Sequence, residues 1–242
     1  KPEEVAARLA ASLHVVESPS HIPRYVGLVT HVYGEHLGQW ARGVAVQEAL
    51  RGSGAFDDSP ETRGAIDRGI AALSYCGGDA SSLQPLAADD RVAVLAVVSS
   101  AMLGQHKHAA ALAAYDEALQ GARDGLPAGS PALRSLAIGG NNLAAALEEK
   151  PDRNDAETAG MLRAAEAGVK YWMLAGTWLE HERAEYRLTR SLLQAGQSAA
   201  AAASARRCLA VCAANDAPAF ERFFGHAVLA LALRAAGDTG GY

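Results

Sequence analysis

The stretch "HAAALAAYDEAL" (residues 108–119) has a counterpart in "SAAAAASARRCL" (198–209). Ala111, Tyr115, Ala118 and Leu119 of the first fall at the same offsets as Ala201, Ala205, Cys208 and Leu209 of the second: a small residue, a second position four on, a small residue, then Leu. Offsets of 0, 4, 7 and 8 share one face of an α-helix. Small side chains on that face let a neighbouring helix approach closely, and the Leu fills the gap left beyond them. "GMLRAAEAG" repeats the pattern weakly with Gly160, Ala164 and Ala167, and "RGVAVQEAL" with Val46, Ala49 and Leu50, where Arg42 takes the small position. A second series precedes these helices. Val98, Leu143, Leu188 and Leu229 each open an apolar run near a helix end, with spacings 143 − 98 = 45, 188 − 143 = 45 and 229 − 188 = 41. A single helical hairpin cannot bury both faces, so such units must stack.

Working outward, helical periodicity fills the chain. It predicts helices at 2–17, 23–38, 40–52, 59–77, 88–104, 106–124, 130–149, 154–174, 177–195, 197–214 and 217–236. "ESPSHIP" (17–23), "GGDASSLQP" (77–85) and "GLPAGSPA" (125–132) read as loops, and Ser59-Pro60 as a cap followed by proline in the first turn. Gly104, Gly196 and Gly237 stand where a helix-terminating glycine belongs. "DRVAVLAVVSSAML" (90–103) carries valines suited to a strand, but its length and the following Gly104 favour a buried helix. The fold expected is all-α: a right-handed superhelical stack of about eleven helices in antiparallel hairpins. Residues 1–89 form degenerate N-terminal repeats, and 90–242 the regular ones with a C-terminal capping helix.

Composition narrows the function classes. Half of the 242 residues are hydrophobic, so a sizeable core is available, and aromatics at 6% suit thin, closely packed helices. A net charge of −5 gives no basic footprint for nucleic acid or an anionic membrane. Cys76, Cys208 and Cys212 are too few for a disulfide framework, which points to a reducing, cytoplasmic setting. No apolar run is long enough to span a bilayer. "KPEEVAARLAAS" has neither a signal-peptide core nor an initiator Met, as expected of a fragment of a longer chain.

The hairpin pattern resembles the tetratricopeptide repeat family. Leu188, Leu192, Gly196, Ala201, Ala205, Cys208 and Leu209 carry the resemblance in the best copy, and "NNLAAAL" (141–147) is similar to the signature of longer, kinesin-light-chain-like repeats. The units here, at 41–45 residues, exceed the family's 34. The closing proline and the early aromatic of the first helix are mostly missing. The resemblance implies a protein- or peptide-binding scaffold with a concave groove, no catalysis and no cofactor. By the same resemblance Asn142 falls where some members hold a ligand's backbone or carboxylate, and Arg183 and Arg187 where members clamp a terminal carboxylate.

Arg183 and Arg187 are i, i+4, so two guanidiniums share a face and offer bidentate recognition of an anion. The ligand-facing set is therefore Asn142, Arg183, Arg187 and Arg190, with Asn141 and Tyr186 beside them, and the captured segment is acidic or ends in a free carboxylate. The competing reading pairs the arginines with Glu180, Glu182, Glu185 or carboxylates on adjacent helices. For Asn142 the competing reading is a helix–helix hydrogen bond.

Other residues carry less. Cys208 and Cys212 share a helix face but lack a second ligand pair for zinc. His106 and His108 are two apart. His181 and Glu185 lack a third ligand. His31 and His36 are five apart, a poor match to an α-helical turn. No metal ligand set emerges. No nucleophile elbow or phosphate loop is present either. Tyr171, Trp172, Met173 and Trp178 cluster at a helix junction. The final helix, "FERFFGHAVLALALRAAGD" (220–238), has a thin polar face, which singles out Phe223 and Phe224 as an interface for another chain, including a homo-oligomer. The alternative to a partner-binding scaffold is accordingly an oligomerisation or regulatory module of a larger signalling or transcription-regulatory protein.

Overall fold

A computed structural model describes residues 1–238, and among these there are eleven α-helices and no strand. They are α1 (Pro2–Ala11), α2 (Ile22–Val29), α3 (Trp40–Ala49), α4 (Pro60–Cys76), α5 (Ala88–Gly104) and α6 (His108–Gly121), followed by α7 (Pro131–Glu149), α8 (Asp155–Ala175), α9 (Trp178–Gln194), α10 (Ser198–Ala214) and α11 (Ala219–Ala235). The fold is all-α, as the repeat pattern required. The ends of α5, α7 and α9 keep the sequence period, with 149 − 104 = 45 and 194 − 149 = 45. Among the described residues no helix is long and apolar enough to cross a membrane.

The chain forms two compact units, Lys1–Ala132 and Leu133–Tyr242. In the first, α3 packs on α4, α4 on α5 and α5 on α6, and α4 also lies against α2. Tyr33, Ile22, Leu50, Ile66 and Leu73 are fully buried there. The valine-rich run is helical because α5 is covered by α4 and α6, so Val92, Val94, Leu95 and Val98 are all buried without strand alternation. In the second unit α8 to α11 pack in sequence, and α11 also reaches α9.

Capping follows local chemistry. The Ser59 side chain accepts from the Thr62 amide, and Asn154 and Thr177 form reciprocal boxes with Glu157 and Glu180. Gly196 and Gly237 take the left-handed conformation expected of them, at φ 72 and 75. Gly104 does not terminate α5 in that way. It is the last helical residue, and the left-handed position falls to His106 at φ 57. The turns into α6 and α10 are otherwise alike, with N-caps Lys107 (φ −90, ψ 62) and Gln197 (φ −91, ψ 60).

The expected helix over 23–38 is interrupted. After α2 the chain widens into a π-helical turn, Thr30–His36, closed by the Leu37 amide donating to Val32 O at 3.1 Å. Tertiary contacts hold it. Tyr33 Oη donates to Ala6 O at 2.8 Å, and Gln105 Nε2 donates to Glu35 O at 2.8 Å. Gly104 lies so close to this turn that a Cβ there would stand 2.3 Å from Glu35 O. Five residues approximate one turn of a π-helix, whose bonds run i to i+5. His31 and His36, mismatched on an α-helix, therefore meet, with Nε2 atoms 3.0 Å apart.

Candidate functional site

Helix α9 organises the second unit. Ala184, Leu188 and Leu192, four residues apart, form its buried stripe. Glu182 and Glu185 are buried on α9 as well, only 1% and 2% exposed. A buried carboxylate is costly unless paired and hydrogen-bonded. Glu185 is met by the fork of Arg207 on α10, Nε at 2.7 Å and Nη2 at 2.9 Å, and by Ser204 Oγ at 2.7 Å. Glu148 of α7, also buried, accepts from Arg187 Nη1 and from Ser191 Oγ, both at 2.7 Å, with Arg190 Nε 3.5 Å away. Glu221 of α11 accepts from Arg183 Nη2 at 2.6 Å. The arginines singled out by sequence thus bridge helices through internal carboxylates, as the competing reading held.

Glu182 has no arginine in its first contacts. The Cys208 thiol donates to its Oε1 at 3.1 Å. Burial pushes the Glu182 carboxyl above the usual carboxylate range, and the neighbouring Glu221 carboxylate adds to this, while Cys208 and Arg183 oppose it. The Cys208 thiol is itself pushed up, chiefly by burial and then by Glu182. Burial also raises Cys212, and holds Cys76 up at about 12. All three cysteines are buried and free, and thiols held protonated in this way are poor nucleophiles.

Above these pairs lies a cavity of about 430 Å³ lined from α7, α9 and α11. Asn141, Asn142 and Ala145 form one side, with Glu182, Arg183 and Arg187 along α9. Tyr186, Phe220 and Phe224 form an aromatic wall. The Phe224 ring meets Tyr186 edge-on at 6.2 Å and Phe220 at 4.9 Å. Phe220 is nevertheless 65% exposed.

The paired asparagines divide their roles. Asn141 Oδ1 is buried without a donor and rests on Gly168 of α8, where a Cβ would stand only 2.5 Å from it. Asn142 is exposed, and among the described residues no hydrogen bond from another helix engages its amide. Asn141, Asn142, Arg183, Tyr186 and Arg187 are brought together around one cavity. Arg190 stays outside that lining and turns to Glu148. Phe224 lines the cavity, whereas Phe223, 66% exposed, stands off it while stacking edge-on with Phe224 at 5.4 Å.

Sequence reasoning missed Glu148, Glu221 and Phe220, and named Glu182 only as a partner for the arginines. Glu182 and Glu185 carry a readable signal, because with Thr189 and Leu192 they fall at offsets 0, 3, 7 and 10, on one helix face. Elsewhere, Tyr171 and Trp172 are buried, with the Arg134 guanidinium 5.1 Å from the Trp172 ring centre. Met173 and Leu174 are exposed beside a shallow apolar cavity of about 500 Å³. His181 approaches Glu185 only to 4.0 Å, and Glu185 is already bonded by Arg207 and Ser204. Comparison of the chain with protein-family models, with curated proteins and with solved structures returns no match.

Proposed function

We propose that the chain is a helical-hairpin scaffold of the tetratricopeptide-like kind, acting by binding rather than catalysis, and that the second unit's groove takes a short extended segment of a partner protein. The observation that carries this reading is the exposed Asn142 side chain beside a solvent-facing aromatic wall. A carboxamide offers one acceptor and two donors, which match a peptide's own N–H and C=O without regard to side chain. Phe220 and Phe224 give an apolar side chain a seat of the kind that dominates binding energy. Arg183 commits Nη2 to Glu221 but is 57% exposed along its side chain, so its other N–H groups remain for an acidic side chain or terminal carboxylate. Arg187, tied to Glu148, shapes the groove instead of clamping the ligand, and Arg190 stays outside it. A groove held by internal ion pairs is preformed, which lowers the entropic cost of binding.

Selection from a displayed random-peptide library on the intact chain tests this. Peptides with an apolar residue near an acidic group are expected, and Asn142→Ala or Arg183→Gln should weaken the best of them by about tenfold. Failure to enrich any peptide, or enriched peptides indifferent to both substitutions, would refute the reading.

One observation favours a second reading, in which α11 mediates self-association: Phe223 and Leu231, 66% and 56% exposed, lie off the groove. A molecular mass that rises with concentration and returns to that of one chain in Phe223→Ser would support it.

A further inference from the structure

We propose that His31 and His36, on the π-helical turn of the first unit, form a two-imidazole site for a borderline divalent transition ion, Cu²⁺ or Ni²⁺ ahead of Zn²⁺. The turn creates the site, since the residues are five apart and meet only because one helical turn has been widened there. The two Nε2 atoms stand 3.0 Å apart. The ring centroids lie 4.5 Å apart with planes at 76°, so the rings converge at an angle instead of meeting head-on. Nitrogens 3.0 Å apart, each about 2.1 Å from an ion, subtend roughly 90° at it. That is the angle between adjacent ligands of a tetragonal ion, whereas a tetrahedral ion needs them farther apart.

The surroundings favour the ligating form. Glu35 Oε2 lies 2.7 Å from His31 Nδ1. A carboxylate there holds the proton on His31 Nδ1, as is usual for metal-bound histidine, so His31 Nε2 is the acceptor facing His36 Nε2–H, and an ion entering between the two nitrogens takes the place of that proton. Glu35 is in turn fixed by Gln105 on its backbone oxygen and by the close approach of Gly104. Both imidazoles are exposed, so an ion reaches them directly. Among the described residues no group of three or more His, Cys, Asp or Glu side chains converges on a point. The remaining coordination positions are therefore left to water, and the ion is an exchangeable ligand.

The test is calorimetric titration of the intact, chelator-stripped chain with CuCl₂ and NiCl₂, together with electron paramagnetic resonance of the chain carrying one equivalent of Cu²⁺. One ion per chain is expected, with nitrogen couplings from two imidazoles. His31→Ala or His36→Ala should weaken uptake at least tenfold, Glu35→Gln by about tenfold, and His106→Ala not at all. Uptake unchanged in both histidine variants, or a one-equivalent Cu²⁺ signal with fewer than two imidazole nitrogens, overturns the proposal. The resonance experiment uses the unaltered chain and so decides the matter even where a variant misfolds.

Discussion

Arg187 Nη1 donates to Glu148 Oε2 at 2.7 Å, and the carboxylate it meets has a side chain only 1% exposed. Glu148 has given up its water for Arg187, Ser191 and a more distant Arg190. Removing the arginine leaves that charge stranded, whereas removing both partners does not. Arg187→Met should cost about 3 kcal/mol of unfolding free energy. The double variant Glu148→Met with Arg187→Met should recover much of that loss. Urea unfolding across the four-member cycle measures the coupling. Additive losses would show that the pair does not act as a unit. The same geometry makes charge reversal at Arg187 a poor probe of ligand binding, since it sets two carboxylates together inside the fold.

Glu182 gives stability a pH dependence of definite sign. Burial raises its folded pKa above the ordinary value, so the folded chain holds this proton more tightly than the unfolded chain. Its contribution is complete below the ordinary carboxylate range and is lost as pH rises through the raised folded value. Glu182→Gln mimics the protonated form. Its melting temperature relative to the parent chain should therefore climb as pH rises above the ordinary carboxylate range. A difference that stays flat as pH rises above that range would contradict a raised Glu182 carboxyl.

His106 occupies a left-handed position that costs an L-residue about 1 kcal/mol, and the matching turn before α10 uses Gly196. His106→Gly should accordingly stabilise the chain by up to about 1 kcal/mol, offset in part by the greater freedom of glycine when unfolded. Gly196→Ala should destabilise it by a similar amount. Thermal unfolding of the two variants checks both signs, and a loss of stability in His106→Gly would contradict the strain assignment.

These cases mark where the sequence could be read and where it could not. Small residues at Ala111, Ala118, Ala201 and Ala205 revealed the helix packing because close approach leaves no other choice of side chain. Asn141, Asn142, Arg183, Tyr186 and Arg187 could be grouped because a helical period and a hairpin repeat fix which residues face alike. The partners of the arginines could not be read, since Glu148 and Glu221 come from helices 39 and 38 residues away and any of several glutamates would have served. The meeting of His31 and His36 was hidden for a different reason. The π-turn is held by Gly104 and Gln105, on another helix's end, and leaves no local mark in "THVYGEH".

Phe220 and Phe223 offer the most direct test of the groove. They sit on one helix with nearly equal exposure, 65% and 66%, yet only Phe220 lines the cavity. The measurement is the affinity of one selected peptide for the Phe220→Ala and Phe223→Ala chains. Binding through the groove requires Phe220→Ala to weaken it by about tenfold and Phe223→Ala to leave it within about twofold. Equal losses in both, or a loss confined to Phe223→Ala, would contradict the groove as the binding face.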